Sequence, residues 1–190
     1  AGAAGLGLVP EELRNPLYTT TYGVGQVMAK AMEGGIRHFI IGLGGSATSD
    51  CGVGMLQALG YVFRDKEGQI VGTGGLAVGD IASVDDSHVL PALKECTFDV
   101  ACDVTNPLYG ELGAAAVFGP QKGASASDVK ALDEASRSFA AVTEAYLGKD
   151  YSQASGAGAA GGLGFAFLAY LKGSLRSGIQ IVLDSIKLAD

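Results

Sequence analysis

Phe39-Ile40-Ile41-Gly42-Leu43-Gly44-Gly45-Ser46-Ala47-Thr48-Ser49-Asp50-Cys51-Gly52-Val53-Gly54 is the stretch on which the reading of this chain turns. An apolar run, Ile36 to Ile41, is interrupted only by Arg37 and His38 and has the length and branched residues of a strand. It passes into glycines, then hydroxyls and a carboxylate, then a helix predicted from Val53 to Leu59. Strand, glycine turn and helix start together make a common anion site. Amide groups at a helix N-terminus point outward, and glycine lets a ligand approach the main chain. Something negatively charged is expected to bind here.

The neighbouring segments set this stretch in an alternation of helices and strands. Thr19-Thr20-Thr21-Tyr22 leads into a helix over Val24 to Glu33, with Val24, Val27, Met28, Ala31 and Met32 at helical spacing and Gly34-Gly35 as its stop. Tyr61 to Arg64 and Gln69 to Val71 flank Asp65-Lys66-Glu67-Gly68 as a hairpin would. The glycines of Gly72 to Gly75 read equally as a surface turn or a ligand loop, ahead of a strand-like Ile81 to Val84. Asp85-Asp86-Ser87 reads as the cap of a short helix, His88 to Leu93. Thr97 to Cys102 is a predicted buried strand. The alternation points to α/β layering, sheets with flanking helices.

Past that strand, Asp103 and Asn106 stand where open α/β sheets collect ligands. An Asx-turn closed by Pro107 explains the same residues. Glu111 to Val117 is a short Ala-rich helix. It ends in Phe118-Gly119-Pro120-Gln121-Lys122-Gly123, whose lysine reads as a phosphate partner or a solvated side chain. Ser125 to Leu147 is a long amphipathic helix with Ser127 as its cap. Its buried stripe is Val129, Leu132, Ala135, Ser136, Phe139, Val142, Thr143 and Tyr146. Gly156 to Gly164 is a third glycine cluster, for tight packing or a ligand, before an apolar helix over Phe165 to Leu171.

Composition narrows the class. With 190 residues, 48% hydrophobic and 17% charged, the chain has the material for a sizeable core. Its 30 glycines are about double the usual ~7% and cluster at the ends of apolar runs. A net charge of −7 argues against nucleic acid as a partner but leaves room for a small anion in a local positive pocket. The apolar runs are too short to span a bilayer, and Cys51, Cys96 and Cys102 have no CxxC spacing. Reduced thiols in a cytoplasm are the simplest account. Cys96 and Cys102 are expected to be buried in a strand-like run, and Cys51, inside the glycine loop, to be accessible. His38 reads as a core or edge strand residue and His88 as exposed. No Walker, HExxH or GxSxG pattern occurs, and GxGxxG fails because Ala47 holds the last glycine position. Ala1 to Gly7 reads as a helix tail closing on glycine, and Ile179 to Asp190 stops without a polar tail. The chain is therefore expected to be cut from something larger.

Four segments together resemble the bacterial type I glycerate kinases. They are Ile40 to Asp50 continuing through Gly54-Met55-Leu56-Gln57-Ala58-Leu59-Gly60, then Ala101-Cys102-Asp103-Val104-Thr105-Asn106-Pro107-Leu108, then Phe118 to Ala124, then Gly156 to Gly164. Order and spacing both match, and the similarity covers Leu6 to Leu183. The chain departs from the family at Ser49, where Asn is usual, and at Cys51, where Gly is usual. It also lacks the family's N-terminal Ser-Phe-Lys-Gly-Ser and Asp-Gly-Gly-Glu-Gly stretches and its C-terminal Gly-Glu-Gly-Arg loop. The resemblance implies a central fragment of a two-domain α/β kinase: the inserted domain plus part of a discontinuous second one. It implies phosphorylation of glycerate by ATP with Mg2+, usually to 2-phosphoglycerate, with no nucleic-acid or membrane partner and with self-association open. On that view Gly44, Gly45, Ser46 and Thr48 bind the glycerate carboxylate or a phosphate. Asp50 or Asp103 orients or deprotonates the hydroxyl, or holds Mg2+ through water. Asn106 adds a hydrogen bond, and Lys122 compensates phosphate charge. A non-catalytic module holding a small anion is the competing expectation.

Overall fold

A computed structural model describes residues 2–186; Ala1 and the stretch Lys187 to Asp190 of the last predicted segment lie outside it. Three short strands form a parallel sheet in the order β1 (His38–Gly42), β4 (Thr97–Ala101), β5 (Ser174–Arg176). Between β1 and β4 a separate antiparallel pair forms from β2 (Val62–Arg64) and β3 (Ser83–Asp85). Among the described residues six α-helices surround them: α1 (Tyr22–Glu33), α2 (Val53–Ala58), α3 (Ala114–Phe118), α4 (Ala126–Leu147), α5 (Ala159–Ala169) and α6 (Gly178–Ser185). This is the α/β layering that the alternation of helical and strand-like runs predicts.

Register fixes where the loops go. Ile41 pairs with Val100 and Gly42 with Ala101, while Val100 pairs with Leu175 and Ala101 with Arg176. All three C-terminal strand ends therefore lie side by side along one edge of the sheet. The glycine loop, the Asp103 segment and the start of α6 all leave from that edge. The side chains beneath it are aromatic. Phe39 stacks on Phe98 at 5.3 Å between centroids, and Phe98 meets Phe167 of α5 at 5.8 Å. A second aromatic cluster, Tyr61, Phe63, Phe139, Phe165 and Tyr170, joins the β2–β3 pair to α4 and α5. Each such ring buries on the order of 200 Å², so these two clusters account for much of the core.

Glycines decide how closely the helices approach. A Cβ on Gly25 would lie 2.3 Å from the Met55 carbonyl and 2.7 Å from the Ala58 Cβ, so α1 and α2 touch backbone to backbone. Gly74 and Gly75 are buried against Leu17, Pro16 and Ser49, which gives the second glycine cluster a packing role. The cap of α4 is Ser125 rather than Ser127. Ser125 Oγ accepts from the Asp128 N–H, and the Asp128 carboxylate accepts from the Ser125 N–H, a closed capping box. The expected stripe of α4 is buried from Leu132 to Thr143, but Tyr146 is exposed and donates to Asp86 at 2.7 Å.

Several local expectations are corrected. The Asp65–Gly68 turn forms, with Val71 N–H donating to the Phe63 carbonyl, but the main partner of β2 is β3 rather than Gln69 to Val71. His88 to Leu93 is not a capped helix; the helical turn there is a 3-10 turn at Pro91–Glu95, because Pro91 fits only a first turn. Residues 2–4 form a turn rather than a helix tail, and Leu6 N–H then donates to the Gly45 carbonyl. β5, three residues between Gly173 and Ser177, is too short to carry a period and was not foreseen.

Candidate functional site

The loop after β1 is held from three sides. Leu6 N–H donates to the Gly45 carbonyl and Ala47 N–H to the Ala4 carbonyl. Thr19 Oγ1 donates to the Ala47 carbonyl at 2.7 Å. Cys51 N–H donates to the Gly161 carbonyl, and a Cβ on Gly161 would lie 1.9 Å from the Thr48 oxygen. With both walls pinned, the tip keeps its own polar groups. Among the described residues the amides of Gly44, Gly45 and Ser46 have no acceptor, and Gly45 sits in left-handed backbone at φ 57. The Thr48 hydroxyl is buried, with no hydrogen-bond partner among the described residues. Ser46 and Thr48 line a cavity of about 210 Å³ that also touches Ala3, Ala4, Val27, Ile40 and Gly44. Consecutive free amides beside a glycine in left-handed backbone form a concavity suited to an anion.

The two aspartates have opposite surroundings. Asp50 is 1% exposed, and its carboxylate accepts from the hydroxyls of Thr20 and Thr21 and the amides of Thr21, Gly52 and Gly54. Burial pushes its carboxyl above the usual range, opposed by those donors. Asp50 therefore ties the start of α1 to the start of α2. Asp103 is exposed at the end of β4, and one of its oxygens accepts from the Gly178 N–H at the start of α6, 3.0 Å away. Its other oxygen accepts no hydrogen bond among the described residues.

Lys122 is neither solvated nor at the surface. It is 2% exposed, and its ammonium donates to the Thr48 carbonyl at 2.6 Å and to Ser46 Oγ at 3.1 Å. Gly123 makes this approach possible, since its left-handed turn at φ 96 passes against the Arg14 carbonyl, where a Cβ would lie 2.3 Å away. Burial lowers the ammonium pKa to about 8, while the charge of Asp50 opposes that fall.

Asn106 donates through its side chain to the Leu112 carbonyl at 2.8 Å, and its main-chain carbonyl accepts from Gly158 N–H. The third glycine cluster thus bridges the first two ligand-like loops, meeting Asn106 at Gly158 and Thr48 at Gly161. Ala160 is held at φ 51 between them, a strained conformation for alanine. Ser46, Thr48 and Lys122 are in direct contact. Asp103 leaves from the adjacent strand end, since Leu43 N–H donates to the Ala101 carbonyl, but it is not among the residues lining the cavity.

The cysteine expectation is reversed. Cys51 is 1% exposed with its thiol pushed up to about 12 by burial, whereas Cys96 and Cys102 are only partly buried. His38 is exposed on β1, 2.8 Å from the Thr97 hydroxyl and 3.5 Å from Asp99, remote from the glycine loop. The residues missed from sequence are Thr19, Thr20 and Thr21. A hydroxyl triplet before a helix reads as a cap, and no local signal shows that it reaches Ala47 and Asp50.

A family model described as the glycerate kinase family matches residues 1–190. The chain belongs to this family. It is 50% identical over 190 residues to a glycerate kinase of Haemophilus influenzae, covering 100% of this chain and 50% of that relative. It is 47% identical over 190 residues to the glycerate 2-kinase of Escherichia coli, again with 100% of this chain and 50% of the relative. A solved structure from Salmonella typhimurium LT2, named as a glycerate kinase 2, superposes with a TM-score of 0.94 at 46% identity, over 97% of this chain and 50% of that one. The chain spans about half the length of the curated family members it matches.

Proposed function

We propose that this chain is the central portion of an enzyme that phosphorylates glycerate with ATP, giving 2-phosphoglycerate. The observation that carries the reading is the set of unpaired amides at Gly44, Gly45 and Ser46 beside the buried, unpartnered Thr48 hydroxyl, in a member of the glycerate kinase family. Family membership supplies the reaction class. The position of the loop along the C-terminal edge of a parallel sheet supports the same site. The domain reading stays as the resemblance gave it, the inserted α/β domain with part of a discontinuous second one.

In this reading the loop tip binds the glycerate carboxylate or a transferring phosphate, held by groups that need no reorganisation when charge develops. Between the two aspartates, Asp103 is the one with a carboxylate oxygen free to orient or deprotonate the attacking hydroxyl. Asp50 holds the loop. Asn106 positions the third glycine cluster by its carbonyl and the turn at Leu112 by its side chain. Among the described residues no cluster of three or more His, Cys, Asp or Glu could hold a metal. Mg2+ commonly rests on one or two carboxylates plus the phosphates it arrives with, and Asp103 fits that pattern. When bound, the ion would neutralise phosphate charge. No described helix is long and apolar enough to cross a membrane, and the three unpaired cysteines fit a reducing cytoplasm. Self-association is compatible with this reading.

A coupled ADP-release assay on the complete protein with glycerate and MgATP tests it. ADP production dependent on glycerate is expected, and binding without ADP would leave only an anion-holding module. Within the same assay Asp103→Asn should lower kcat by about two to four orders of magnitude with a modest change in KM. Near-normal turnover would remove Asp103 from the chemistry.

A further inference from the structure

Lys122 is a buried cation whose two hydrogen-bond partners among the described residues both belong to the anion loop itself. Resting on the reading of that loop as the glycerate or phosphate site, we propose that Lys122 is a positioning residue, which commits the Ser46 hydroxyl to donate to the bound anion. An ammonium carries N–H donors and no acceptor, so Ser46 Oγ must accept from it. The single Ser46 hydrogen then turns away from Lys122, and Ser46 lines the cavity. A second N–H of Lys122 fixes the Thr48 carbonyl at 2.6 Å, which sets the frame of the neighbouring unpartnered hydroxyl. The lysine lies behind the loop and is 2% exposed, so it does not meet the ligand directly. Its charge still acts across the short distance through poorly screened surroundings, partly offset by Asp50.

The charged and titratable groups facing Lys122 are Asp50 and Cys51 from the loop after β1, and Asp133 of α4 acts on Cys51 in turn. Cys51 is neutral throughout the working range because its thiol is pushed up to about 12. Burial lowers the lysine to about 8, so its proton is lost within an accessible pH range.

The test measures glycerate affinity and kcat of the complete protein for Ser46→Ala, Lys122→Met and the double variant. Each single change should weaken affinity about ten-fold or more, the scale of one charge-assisted hydrogen bond. The double variant should stay within about two-fold of Lys122→Met, because both changes remove the same donor. Thr48→Val should multiply with either. Unchanged affinity in Lys122→Met, or losses that multiply between Lys122 and Ser46, overturns the proposal. Should Lys122→Met not fold, the ratio of wild-type to Ser46→Ala affinity decides. It should shrink as pH rises through about 8, and a flat ratio from pH 7 to about 9.5 overturns the proposal. A wild-type protein that binds no glycerate removes the functional reading and this inference with it.

Discussion

Asp50 is a candidate base in sequence, and its surroundings in space favour a holding role. An aspartate after a Gly-Gly-Ser loop is a natural candidate base, yet five donors surround its carboxylate and solvent does not reach it. Asp50→Asn replaces an acceptor oxygen with an NH2 that faces those donors. A loss of about 3 kcal/mol in folding stability is expected, read from the denaturant midpoint. A loss of turnover with no loss of stability would return Asp50 to the chemistry. Lys122 makes a prediction with a definite sign. Its ammonium is at about 8 in the folded chain against an ordinary 10.5, so between those values the unfolded chain binds the extra proton. Stability of the wild type relative to Lys122→Met should therefore rise with pH across that window, by about 3 kcal/mol in all at roughly 1.4 kcal/mol per unit. Denaturant unfolding of both proteins from pH 7.5 to about 10.5 measures it, and a falling difference would contradict the buried-ammonium assignment.

At the scale of elements, the contact between α1 and α2 carries the site from behind. Thr21, fully buried at the start of α1, donates to Asp50 and accepts from the Met55 N–H of α2, so shifting either helix moves the loop. Gly25→Ala puts a methyl against the Met55 carbonyl and should cost about 1–3 kcal/mol while weakening anion binding. Comparing unfolding midpoint and glycerate affinity in one variant checks both effects. The helices with clear periods were legible in sequence: α1, where Met28 and Met32 of the expected stripe are buried but Val27 is exposed, and α4 from Leu132 to Thr143. The order of strand, glycine loop and helix around Phe39–Gly54 was legible too, as β1, the loop after it and α2. What was not legible depended on long-range packing. The Thr19–Thr21 clamp, the burial of Lys122 and the partner of β2 are each set by residues distant along the chain. The cap of α4 is a different case: Ser125 stands three residues before Asp128, the spacing of a capping box, and the choice of Ser127 overlooked that local signal.

For the molecule as a whole, one edge of a three-stranded sheet gathers loops from distant parts of the chain, with Gly158 and Gly161 joining the Asn106 turn to the Thr48 loop. The chain covers about half the length of the relatives it matches, so the complete protein is the proper object of the decisive test. That test is a structure of the complete protein with glycerate bound. Ligand oxygens should lie within hydrogen-bond distance of the Gly44, Gly45 and Ser46 amides and the Thr48 hydroxyl, with Lys122 still behind the loop. Glycerate seated elsewhere, with those amides facing only water, would contradict the account.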